Sequence, residues 1–139
     1  MKKQTGIWID TSNAIIISLK NGEENIIEIN SEIENKVHHE NEGDKGSFMG
    51  NGHLNNEKKF DEKRKHQTND FLKNVINHIK KDDAFYVFGP AEMKLKLKNV
   101  IENNLELATK LKAVETTDSM TLNQVVAKVK LFYKVKINY

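Results

Sequence analysis

Cysteine is absent from the 139-residue chain. That excludes disulfides, Cys-ligated zinc, iron–sulfur clusters and a thiol nucleophile. Long hydrophobic runs are missing too. Runs such as Ala14-Ile15-Ile16-Ile17 and Ala84-Phe85-Tyr86-Val87-Phe88 are far short of the roughly 20 residues a membrane helix needs. Lys2 and Lys3 imitate the start of a signal peptide, but Asp10 and Asn13 interrupt any apolar stretch after them. The expectation is a cytoplasmic protein with no membrane partner. No excess of one charge is present either, because 22 Lys+Arg stand against 20 Asp+Glu.

The near-zero net charge hides a segregation. From Glu23 to Asp44, eight acidic residues face Lys36 alone. Cations gather instead at Lys58, Lys59, Lys63, Arg64 and Lys65, at Lys94, Lys96 and Lys98, and at Lys128, Lys130, Lys134 and Lys136. Shared on one face, they would attract a polyanion. The competing reading is a set of solvated helix faces paired with local acids.

The pattern of apolar residues gives the fold. Gly6-Ile7-Trp8-Ile9, Ala14 to Leu19, and Ile26, Ile27 and Ile29 read as three antiparallel strands. Asn21-Gly22 supplies the hairpin turn, since both residues tolerate positive φ. Residues 34–55 then lose their apolar content and take four of the seven glycines, Gly43, Gly46, Gly50 and Gly52. This stretch is expected to be a glycine-rich loop, mobile when unbound. A helix follows, capped at Asn55 or Asn56, with Phe60, Arg64, Gln67, Phe71, Leu72, Val75, Ile76 and Ile79 on one stripe. Ala84 to Phe88 reads as a buried parallel strand, ended by Gly89-Pro90, with Pro90 in the first turn of the next helix. Ala113-Val114 is a fifth strand. Thr121-Leu122-Asn123-Gln124 is a capping box opening the last helix.

The whole chain, 1–139, is thus expected to be a single α/β domain of order β-β-β-α-β-α-β-α. Its mixed five-stranded sheet has the ribonuclease H-like arrangement, with helices on both faces and right-handed crossovers.

Taken in that order, Ile7-Trp8-Ile9-Asp10, Phe88-Gly89-Pro90-Ala91 and Val114-Glu115-Thr116 resemble small bacterial proteins described as translational machinery components. Those are similar to the central domain of eukaryotic and archaeal class-1 peptide-chain release factors and of Pelota. The resemblance covers about residues 5–133. In the release-factor domain, the loop before the first long helix carries a Gly-Gly-Gln motif that helps water attack the peptidyl-tRNA ester. The loop at the matching place here has no Gly-Gly-Gln; it holds Gly50-Asn51-Gly52-His53.

The resemblance therefore implies a translation-associated module without the family's catalytic glutamine. The expected role is non-catalytic binding of a ribosome or structured RNA, with DNA not expected, through Gly50, Asn51, Gly52, His53, Lys58, Lys59, Lys63, Arg64 and Lys65. The alternatives are a peptidyl-tRNA esterase-like factor in which His53 replaces the missing glutamine, and a protein-interaction domain whose acidic 23–44 segment meets a basic partner. For His53 the plainer reading is an imidazole that packs on or caps the following helix.

Three other constellations of polar residues stand in the sequence. His38, His39, Glu40, Glu42 and His53 include metal-binding side chains but lack the i,i+4 geometry of a fixed pair, so no metal or cofactor is expected. Asp10 with Glu115 and Asp118 would suit a two-metal nuclease, yet Asp10 sits in a turn signature and can bond Ser12 or Asn13 instead. Gly89-Pro90-Ala91-Glu92 puts a strand end against a helix start, an anion contact or simply a tight turn.

Overall fold

Asn21 and Gly22 close the second hairpin with φ of 56° and 83°, the two positive values a type I′ turn demands. The computed structural model describes residues 2–33 and 50–137, with side chains at 2–33 and 59–134. Strand β1 (Gln4–Ile9) pairs antiparallel with β2 (Asn13–Lys20), and β2 pairs antiparallel with β3 (Glu23–Asn30) in the register Lys20↔Glu23 to Asn13↔Asn30.

The chain continues through α1 (Gly50–Ile79), β4 (Ala84–Gly89), α2 (Met93–Glu102), α3 (Leu105–Ala108), β5 (Leu111–Thr116) and α4 (Leu122–Ile137). Sheet order is β3-β2-β1-β4-β5, with β4 parallel to both β1 and β5. The mixed five-stranded sheet read from the sequence is the one observed.

Side chains alternate across a strand, so the central strands feed two separate cores. Ile7, Ile9, Ile16, Phe85 and Val87 pack with Phe71, Leu72, Val75 and Ile79 of α1 and with Leu97 and Ile101 of α2. Trp8, Ile15, Ile17, Tyr86 and Phe88 pack with Val125, Val129 and Tyr133 of α4 on the opposite side. Helices therefore cover both faces.

Several boundaries differ from the sequence reading. Helix α1 begins at Gly50 rather than near Asn55, so Gly50-Asn51-Gly52-His53 form its first residues; residues 34–49 lie outside the described residues. Pro90 precedes α2 instead of opening it, because the chain first turns through Ala91 at φ 55°. The capping box forms as read: Thr121 N donates to Gln124 Oε1 at 2.9 Å and Gln124 N to Thr121 Oγ1 at 3.2 Å.

One tyrosine pins α4 to the sheet and a second pins β4 to β5. Tyr133 OH donates to the Thr5 carbonyl at 2.7 Å, and Tyr86 OH to Glu115 Oε1 at 2.6 Å. Burial pushes both phenols well above the ordinary 10.0, helped by Glu115 at Tyr86 and by the Asp82 carboxylate at Tyr133. A raised folded value means the neutral phenol is favoured in the fold. The stability it contributes is intact below about pH 10, where the unfolded tyrosine titrates, and falls as pH rises beyond that. The expected result is alkaline unfolding in which Tyr86 and Tyr133 ionise only as circular dichroism reports loss of the fold. Phenolate absorbance from both at a pH where the fold is intact would contradict it. Tyr133→Phe removes one of the pins and should cost about 1 kcal/mol in urea unfolding.

Candidate nucleic-acid interface

Helix α1 has 30 residues, about 45 Å at 1.5 Å per residue. The strands beneath it have six to eight residues, roughly 20–27 Å. The helix must therefore overshoot the sheet. Its buried stripe, Thr68, Phe71, Leu72, Val75 and Ile79, belongs to the second half. From Lys59 to His66 every side chain is exposed except Phe60, which is half-buried.

That exposed half carries Lys59, Lys63, Arg64 and Lys65, with Asp61 and Glu62 among them. His66 meets Asp70 at 3.5 Å one turn later. Side chains at 50–58 lie outside the described set, so Gly50, Asn51, Gly52, His53 and Lys58 are placed only as backbone of the first turns of α1. All nine residues singled out in the sequence thus fall on one helix. His38, His39, Glu40 and Glu42 lie outside the described residues.

The other cationic groups do not extend this face. Lys94 is buried, 5% exposed, with its ammonium on the Ala91 carbonyl, while Lys98 pairs with Glu102 at 4.0 Å. Lys128 and Lys130 belong to α4, on the far side of the sheet, and pair with Glu115 and Glu24. For Lys128 and Lys130 the plain reading of locally paired charge is the observed one. A single basic face collecting all three groups does not form, because α1 and α4 cover opposite sides of one sheet.

Asp10 is likewise accounted for locally. Its Oδ1 accepts from Ser12 N and Asn13 N, both at 2.8 Å. Glu115 is held by Tyr86 and Lys128, and among the described residues no three acidic or histidine side chains are grouped to hold a metal ion. The nuclease constellation of Asp10, Glu115 and Asp118 is not assembled. Among the described residues no helix is long and apolar enough to cross a membrane.

At the β4–α2 turn, Gly89 adopts φ 150° and presses against the Ile9 carbonyl, and its own oxygen accepts from Thr117 N at 3.0 Å. Glu92 caps α2 without a side-chain hydrogen bond. The segment Gly89-Pro90-Ala91-Glu92 is thus a compact joint between β1, β4 and the end of β5.

The fold has a counterpart among solved structures. The crystal structure of the archaeal translation termination factor aRF1 is similar over 98% of this chain, with a TM-score of 0.56 at 13% identity. The chain spans 38% of that protein's length. A second solved structure, of an archaeal protein, covers 97% of the chain and 39% of its own, at a TM-score of 0.43 and 14% identity. No protein-family model matches, and no curated protein is similar at a significant level. The likeness to aRF1 is one of fold, and the fold resembles that of a release-factor domain.

Sequence reading missed one feature of the interface. Arg64 lines an open cleft with Thr11 and Ser12 of the β1–β2 turn and with Asn30, Ser31 and Glu32 at the end of β3. The signal was present, since Arg64 sits on the apolar stripe of α1 where a hydrophobic residue would be expected.

Proposed function

We propose that the protein is a non-catalytic, cytoplasmic RNA- or ribosome-binding module, built like the central domain of class-1 release factors and docking through the exposed half of α1. The observation that carries this reading is the overshoot of α1. A helix held by its second half presents Lys59, Lys63 and Lys65 on its exposed half, with Arg64 at the edge of the sheet. Lys58 and Gly50-Asn51-Gly52-His53 are assigned to the far end of the same surface. The fold shared with aRF1 favours a ribosomal setting over other polyanions.

Cosedimentation with ribosomes tests the reading. Association is expected at low salt and should be lost as salt rises, because each neutralised phosphate releases counterions. The triple variant Lys59→Ala, Lys63→Ala, Lys65→Ala should leave the pellet at lower salt than the parent. No association at any salt, or association that the variant leaves unchanged, would overturn it.

A further inference from the structure

The cleft beside Arg64 has a volume of about 440 Å³ and is also lined by Ile33. Its floor is held rigidly. Asp10 fixes the β1–β2 turn through Ser12 N and Asn13 N. Ser31 ties β3 to that turn, its N–H donating to the Ser12 carbonyl at 2.9 Å and its hydroxyl to the Thr11 carbonyl at 2.6 Å. Ile33 N then donates to Ser31 Oγ at 3.3 Å, across Glu32, which is held at φ 55°. Backbone groups, Asp10 and Ser31 supply all these bonds, and the Thr11 and Ser12 side chains are exposed at the cleft.

Two opposite charges share this space without pairing. Among the described residues, no ion pair includes Arg64 or Glu32. Arg64 is exposed and stands one turn before buried Thr68, whose hydroxyl donates to the Arg64 carbonyl at 2.9 Å. A ligand suited to the cleft has an anion for a forked guanidinium and N–H donors for a carboxylate that only accepts. A guanine nucleotide has both: a phosphate at one end, and adjacent N1–H and N2–H groups on its base edge.

We propose that this cleft seats one guanine nucleotide of a single-stranded RNA, with its phosphate on Arg64 and the Thr11 and Ser12 hydroxyls and its base edge on Glu32. This rests on the RNA-binding reading above and gives it a specific contact. Unpaired bases are the part of RNA that side chains can read on their Watson–Crick edges.

The test is fluorescence polarisation with short single-stranded oligonucleotides, guanosine-containing against all-uridine, alongside amide shifts at Thr11, Ser12 and Asn30 on titration with GMP. Arg64→Ala should weaken guanosine-oligonucleotide binding about tenfold or more, the scale of a hydrogen bond to a charged group. Arg64→Lys should lose nearly as much, because one ammonium cannot replace the fork. Lys73→Ala, removing an equal charge from the exposed side of the second half of α1, should leave it within about twofold. Glu32→Gln should abolish the preference for guanosine over uridine. A tight Arg64→Lys variant, or a guanosine preference that survives Glu32→Gln, would overturn the seat while leaving RNA binding by α1 intact. Amide shifts with GMP in a protein that binds no RNA would put a free nucleotide in the cleft and overturn the proposal as stated. An absence of shifts at those three residues would overturn it as well.

Discussion

Gly89→Ala is expected to be the most damaging single substitution in the chain. At φ 150° glycine is free of the Cβ clash that every L side chain would suffer. The added methyl would also overlap the Ile9 carbonyl oxygen, a backbone atom within β1, the middle strand of the sheet, that has no rotamer to yield. Strain of about 1–3 kcal/mol for the forced backbone and a further 1–3 kcal/mol for overpacking give an expected loss of roughly 2–6 kcal/mol. Urea unfolding read by circular dichroism measures it. A loss below 1 kcal/mol would show that the joint between β1 and β4 is looser than its geometry indicates.

The second large effect lies on the other face. A Cβ built on Gly6 would overlap both methyls of Val129 in α4. Valine in a helix is confined to one rotamer, so Val129 cannot turn aside and α4 must lift from the sheet. Gly6→Ala should therefore cost about 3 kcal/mol, the upper end for an overpacked core. Val129→Ala alone leaves a cavity, with a loss of about 1–3 kcal/mol. The double substitution restores the filled volume, and its cost should be well below the sum of the single costs. Strict additivity would mean that the two residues do not meet as described.

How far the sequence reveals this molecule depends on whether the controlling contacts are local. Asn21-Gly22 and the Thr121–Gln124 box are local chemistry, and both form as read. Ile7, Trp8 and Ile9 read as one apolar run because β1 is buried on both faces, which a central strand requires. The start of α1 is not legible in the same way. Gly50 and Gly52 are poor helix formers, yet they lie in its first turn. Lys94 is similar: its sequence neighbours Lys96 and Lys98 suggest one basic face, but the helix period turns it inward to the Ala91 carbonyl. Arg64 occupies a stripe position visible in the sequence, while the cleft under it is made by residues some 30 to 50 positions earlier in the chain. Only the folded sheet brings those together.

The measurement that bears most directly on the central claim is the salt dependence of single-stranded RNA binding by the full chain and by the Lys59→Ala, Lys63→Ala, Lys65→Ala variant. Each phosphate contact on a single strand contributes about 0.7 to the slope of log affinity against log salt. The expected result is a steep parental slope that drops by about 2 in the triple variant, as three such contacts are removed. Equal slopes for the two proteins, or no measurable binding at low salt, would contradict a phosphate-binding role for the exposed half of α1.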